Sequence, residues 1–379
     1  MKSLLKSTLP PRLINYISTL RQRFKSANIT SPTGNLNPFN GDSTFVMVVG
    51  PAFDQQRPDA MMTCRMGYCH AFESMGIPYV IADITQLDSL AEKLPSPFFM
   101  YFAGDLPYIS KDKVRKLRKY PSAIWVYPWF DKSDKFFAEH DLDASIWTLP
   151  KSSIEKVLDL QPRFCFSATT PSGMTFFENW EKRGIPARSL PLACDTKIYH
   201  RDNSSEVDFS DVKLAFVGGY WQSKGRQIDE YLRQFEDDLE IYGYTKWPYS
   251  GYKGLLHVDL ESSLYKQAIV SPVVNEPTVA LMKGQINERV FKVFGSGGCP
   301  IVDAVPAYRE LYSEDELLIS ESPKHFAELI ELMLNDESLN YTYRERGRAA
   351  TLARHTYQHR ALEYMRLLGI VNNESDYKF

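Results

Sequence analysis

The segment QINERVFKVFGSGGCPIVD, residues 285–303, changes character twice. It opens with polar Gln285, Asn287, Glu288 and Arg289, continues as an apolar stripe, breaks at Gly295, Gly297 and Gly298, and ends as a short strand closed by Asp303. Ile286, Val290, Val293 and Phe294 share one helical face, which predicts a helix from near Ile286 to Phe294 packed on a sheet. Unpaired amides at such a helix start, around residues 284–287, attract phosphate, and Arg289 can add a charge-assisted hydrogen bond. Glu288 and Lys292 fall on the opposite face. There they either present a cleft or form an exposed i,i+4 pair worth about 0.2–0.5 kcal/mol. The glycines read as a helix exit, since they lie at the helix end whose dipole repels anions.

A helix that passes through glycines into a short apolar strand is one step of a parallel α/β sheet, and the same step recurs along the chain. STFVMVVGPAF, PYVIAD, PFFMYFAGD, SAIWVYPWFD and RFCFSATT supply strands before residue 190; KLAFVGGYW, LEIYGY, QAIVSPVV and CPIVD supply them after it. LPLACDTKIYH, residues 190–200, separates the two series and reads as the hinge. The expected organisation is a basic segment and linker at 1–43, an α/β unit at 44–200, a second at 201–350, and a terminal helix and tail at 351–379. Two such Rossmann-like α/β/α units meet across a cleft, and closure is the expected motion.

Composition narrows the class. The chain has 379 residues, 24% charged and 44% hydrophobic, with a net charge of −3, so it can bury sizeable cores and carries no global signal for nucleic acid. The run KDKVRKLRK at 111–119 reads as a solvated helix face. Five cysteines lack paired CxxC spacing and seven histidines form no HExxH, which argues for a reducing compartment without structural zinc. No apolar run reaches the roughly 18–20 residues that span a bilayer. No signal-peptide core precedes a cleavage site, so a cytoplasmic location is expected. Leu13, Ile14, Ile17 and Leu20 nevertheless form a stripe beside Arg12, Arg21, Arg23 and Lys25. Residues 1–25 could therefore lie on an anionic membrane surface, or pack on the body or a partner.

FVGGYWQSKGRQ places Gly218 and Gly219 directly after a strand. Glycine there lets a ligand approach the backbone, and Lys224 and Arg226 add charge suited to a diphosphate. The run is not GxGxxG, so a nicotinamide dinucleotide loses its usual fingerprint.

The ordered segments LAFVGGYWQSKGRQ, IYGYTKW, SSLYKQAIVSPVVNEP, INERVFKVFGSGGCPIVDAVPAYRELY and RHTYQHRALEYMRLL resemble spore-maturation-type, group-1-like glycosyltransferases. The resemblance covers about residues 190–370 and implies a GT-B fold. In such enzymes the second unit binds a nucleotide-sugar donor, the first binds the acceptor, and the terminal helices cross back to the first. It implies that Gly218 and Gly219 line the diphosphate passage and Lys224 contacts phosphate. Tyr244, within Tyr242 to Trp247, would border the donor pocket. Asn275 would lie near the nucleoside, and Asn287 and Arg289 would belong to the donor helix. Lys292 stands where the family pattern supplies a glutamate. A lysine cannot accept hydrogen bonds from donor hydroxyls. Glu288 could assume that role, Lys292 could meet an acidic sugar or phosphate, or transfer could be weakened.

Inverting transfer needs a base near the acceptor hydroxyl. Asp131, after IWVYPWF, is the first candidate and Asp105, after YFAG, the second; both are also suited to turns or caps. His70 is a more distant one. Asp195, His355, His359, Arg360, Trp221 and Trp247 fit packing and local hydrogen bonding at least as well as ligand contacts. No DxD-type metal element stands out, so neither a tightly bound cofactor nor a divalent metal is expected, and the nucleotide-sugar is a co-substrate. The expected activity is sugar transfer to a hydroxyl of a surface glycan or lipid-linked precursor. A sugar-nucleotide epimerase or hydrolase, or a silent sugar-nucleotide-binding protein, is the alternative.

Overall fold

The computed structural model describes residues 44–51, 60–129, 139, 149–202, 207–276, 279, 282 and 284–371. Two α/β units carry the two cores. The first contains β1 (Thr44–Val49), β2 (Tyr79–Asp83), β3 (Pro97–Phe102), β4 (Ser122–Trp125), β5 (Phe164–Ser167) and β6 (Ala187–Ser189). All pair in parallel in the order β2-β1-β3-β4-β5-β6. β1 is buried at every position, as a continuous Val-rich run without alternation requires when helices cover both sheet faces. Those helices are α1 (Ala60–Ser74), α2 (Leu87–Lys93), α3 (Lys111–Leu117) and α4 (Lys151–Leu160).

The second unit contains β7 (Leu214–Val217), β8 (Leu239–Tyr242), β9 (Tyr252–Gly254), β10 (Ser271–Val273), β11 (Pro300–Val302) and β12 (Leu318–Ile319). They form two three-stranded parallel sheets, β7-β8-β9 and β10-β11-β12. A parallel bridge between Leu214 and Val270 joins them. The combined order is 9-8-7-10-11-12, and its direction reverses between β7 and β10, the place where open α/β sheets hold ligands. Its helices are α5 (Gln222–Leu232), α6 (Val258–Gln267), α7 (Arg289–Ser296), α8 (Pro323–Asn335) and α9 (Glu337–Arg354), after which comes α10 (Tyr357–Leu367).

The helix expected from Ile286 begins three residues later, at Arg289. The side chain of Asn287 accepts the Arg289 amide at 2.9 Å, and this local turn holds residues 286–288 outside the helix. The helix exit is as expected: Gly297, with φ of 88°, takes the left-handed conformation and ends α7.

The chain crosses between units twice, side by side. Cys194 N donates to His355 O at 2.8 Å, and Tyr357 N donates to Cys194 O at 3.0 Å. Beyond that point α10 belongs to the first core: Tyr357, Ala361, Tyr364, Met365 and Leu368 pack with Phe45, Tyr68, Phe72 and Phe164. A further contact joins the units near the loop that leads into α7. Thr170 N donates to Gly284 O at 2.7 Å, and a Cβ at Gly284 would stand 2.4 Å from Gly173 N. Only glycine permits that approach at a φ of 129°.

Candidate donor site

A cavity opens at the reversal point between β7 and β10. Gly218 and Gly219 end β7, Lys224 comes from the first turn of α5, Glu276 follows β10, and Asn287, Glu288, Arg289 and Lys292 come from the start of α7. Glu261 and Tyr265 of α6 close one side, and Ala60, at the start of α1, reaches it from the first unit.

Two amides at and beside the expected phosphate cradle are occupied within the protein. Asn287 N donates to the Tyr308 hydroxyl at 3.2 Å, and Arg289 N is taken by the Asn287 side chain. Cationic side chains supply the positive charge at the cavity. Arg289, 5% exposed, anchors Nε on Val217 O at 2.8 Å and lays its guanidinium over Phe216 at 4.1 Å. Its Nη1 has no hydrogen-bond partner among the described residues. A buried guanidinium nitrogen left unpaired costs free energy that an anionic ligand would recover.

Lys224 is the second cation, with its ammonium over the Trp221 ring at 4.2 Å. Burial lowers its pKa to about 8; Glu276 works in the opposite direction and Arg289 adds to the lowering. Glu276 is raised by burial against the pull of both cations. At Gly218 a Cβ would lie 2.8 Å from Arg289 Nη2 and 3.4 Å from Lys224 Nζ. The missing side chain leaves the space between these cations open to a ligand.

Glu288 and Lys292 do pair at i,i+4, with Lys292 Nζ 2.6 Å from Glu288 Oε1, but the pair is buried rather than exposed. Thr63 Oγ1 stands 2.8 Å from both Glu288 oxygens, and Cys64 Sγ donates to Oε2 at 3.3 Å. Glu261 Oε2 lies 3.7 Å from Lys292 Nζ and accepts the Tyr199 hydroxyl at 2.6 Å. Burial opposes charge on Lys292, yet Glu261 and Glu288 outweigh it and raise its pKa. With its charge already matched by two carboxylates, Lys292 is poorly placed to select an acidic sugar or a phosphate.

The remaining candidates fall in varied places. The Tyr244 ring packs on Gly219 at the cavity wall. Asn275 is buried behind the wall, where its amide N donates to Asp303 at 2.8 Å and its side chain joins Asp303 and Tyr308; it supports the Asn287 loop and does not line the cavity. Arg226 is exposed and also outside the lining. Trp221 lines the cavity, whereas Trp247 packs against Phe216 and Tyr220 and donates to Gly218 O at 2.8 Å. Asp105 lies at the other sheet's reversal point, between β1 and β3, buried and paired with Arg65. Burial raises its pKa and Arg65 opposes the rise. Asp131 and residues 1–25 lie outside the described residues.

His70 pairs with Asp195 at 2.7 Å across the interunit connection. His355 donates to Leu311 O and accepts from Arg360, and Arg360 Nε reaches Pro191 O at 2.7 Å. Both therefore organise the crossing. All five cysteines are buried and unpaired, and no cluster of three or more metal-ligating side chains occurs among the described residues. The sequence reading did not single out Glu261, Glu276, Thr63 or Tyr199. Glu276 carried a usable signal, following the end of a central strand; the others reach the site only through tertiary packing.

Residues 225–366 match the family model described as glycosyl transferase-like. No curated protein sequence matches the chain. Among solved structures, sucrose-phosphate synthase from Thermosynechococcus elongatus superposes with a TM-score of 0.61 at 12% identity, covering 86% of this chain and 98% of that one. Trehalose-6-phosphate synthase OtsA gives 0.59 at 10%, covering 87% and 99%. T4 phage BGT, in complex with UDP and Mn2+, gives 0.51 at 11%, covering 86% and 99%. The fold is GT-B, and its second unit carries a glycosyl transferase-like domain.

Proposed function

We propose that this chain is a nucleotide-sugar-dependent glycosyltransferase that holds the donor diphosphate over Gly218 between Lys224 and Arg289. The observation that carries the reading is the pair of buried cations flanking an open glycine, one with an unpaired nitrogen. In transfer, the bond between the anomeric carbon and the diphosphate oxygen breaks and a bond to the acceptor oxygen forms. The nucleoside diphosphate takes up negative charge, which Lys224 and Arg289 stabilise. In an inverting transfer the acceptor proton passes to a carboxylate of the first unit. Asp131 is our candidate for that base; Asp105 would first have to part from Arg65.

Calorimetric titration with UDP-, GDP-, CMP- and dTDP-sugars beside the free nucleotides tests the donor assignment. Selective binding of one base, lost in Arg289→Ala, supports it; folded protein that binds none overturns it. We further propose that residues 1–25 rest on the membrane, because that segment joins an apolar stripe to Arg12, Arg21, Arg23 and Lys25, and that the acceptor is a surface glycan or lipid-linked precursor. Deletion of residues 1–25 should reduce sedimentation with anionic vesicles, and unchanged sedimentation would refute the anchor.

A further inference from the structure

We infer that Glu261 reads hydroxyl groups of the donor, with Lys292 as the positioning residue that keeps its carboxylate in place. The inference rests on the donor reading above and deepens it. The cavity has two ends of opposite balance. Around Gly218, Lys224 and Arg289 face the single carboxylate of Glu276; along α6 and α7, Glu261 and Glu288 face the single ammonium of Lys292. A diphosphate belongs at the first end. Uncharged groups that donate hydrogen bonds belong at the second, where a buried excess of carboxylate needs donors.

The two carboxylates at that end are not equivalent. Glu288 is occupied by Thr63, Cys64 and Lys292. Glu261, 1% exposed, has both its Tyr199 and Lys292 contacts on Oε2. Its Oε1 takes no hydrogen bond from the described residues, although Glu261 lines the cavity. A carboxylate held from behind, with an oxygen to spare, can accept from a vicinal diol. A nucleotide-sugar carries such diols on its ribose and on its transferred sugar. The site therefore orients the donor, with diphosphate toward β7 and hydroxyls toward α6.

The test is calorimetry of wild type and Glu261→Gln with UDP, 2′-deoxy-UDP and UDP-glucose, and with GDP, 2′-deoxy-GDP and GDP-mannose. Removing the recognised diol from the ligand should weaken wild-type binding about tenfold or more, and should cost Glu261→Gln almost nothing. If the loss tracks the 2′-hydroxyl, Glu261 reads ribose; if it tracks the hexose, Glu261 reads the transferred sugar. Lys292→Met should erase the same discrimination and Lys292→Arg restore it, whereas a purely structural lysine would alter all ligands alike. Equal wild-type affinity for ligands with and without the hydroxyls overturns the inference without requiring any variant to fold. So does a Glu261→Gln protein that keeps the full discrimination. Wild type that binds none of the six compounds and none of the CMP- and dTDP-sugars would refute the donor reading itself.

Discussion

Thr63 Oγ1 on α1 stands 2.8 Å from both carboxylate oxygens of Glu288, the residue that leads into α7. The contact joins the two units, and Glu288 is flanked by Asn287 and Arg289, which line the cavity with it. The cavity wall is therefore set partly by the first unit.

Thr63→Val keeps the shape and removes the hydroxyl. A buried carboxylate then loses a donor, so the variant should be less stable by about 1–3 kcal/mol, and Thr63→Ser should recover most of it. Chemical denaturation of the three proteins measures this; a valine variant as stable as wild type would show that the contact contributes nothing.

Gly218→Ala should leave the fold intact and weaken nucleoside diphosphate binding. Its methyl would meet Arg289 Nη2 at 2.8 Å, and that side-chain end can shift, but only out of the position assigned to phosphate. We expect about tenfold or greater loss for UDP or GDP and little for the nucleoside, on the scale of one charge-assisted hydrogen bond. Equal losses for both would locate the diphosphate elsewhere.

Lys224 predicts a pH dependence. With its pKa lowered to about 8 by burial, it is charged below that value and loses its proton as pH rises through it. A bound diphosphate favours the charged form, so affinity should fall with increasing pH above about 8, while Lys224→Met binds weakly with a flatter profile. Calorimetry across that range decides; a wild-type profile as flat as the variant's removes Lys224 from the phosphate site.

His355 predicts a stability change of the opposite sense. Burial, first, and nearby Arg360 and Arg354 lower its pKa to about 4, although its hydrogen bond to Leu311 O works against them. From about pH 6.5 down to 4 the unfolded chain binds a proton that the native protein refuses, so stability falls with pH, by up to about 3 kcal/mol. His355→Gln can keep both hydrogen-bonding directions and should flatten this part of the profile. Denaturation midpoints at several pH values would show whether it does.

Much of this was legible along the chain because it is local. Apolar runs bounded by glycine and proline marked the strands, and Gly218, Lys224 and Arg289 stood out by type and place. The start of α7 was misread because periodicity continues through Ile286 and cannot register the Asn287 side chain capturing the Arg289 amide. The burial of Glu288 and Lys292 was not legible either. It depends on Thr63, Glu261 and Tyr199, which lie far away in sequence and arrive only when α1, α6 and the interunit connection pack together. The strand order of each sheet is likewise a long-range choice that strand spacing leaves open.

The crossing of α10 sets the order in which this protein can be completed during synthesis. Domains generally fold as units from the N-terminus while the chain emerges. Here the core around Phe45, Tyr68 and Phe164 also needs Tyr357, Tyr364 and Met365. The second unit's strands and α9 all precede those residues, so the domain made first is the one finished last, and until the ribosome reaches residue 365 its aromatic face waits uncovered.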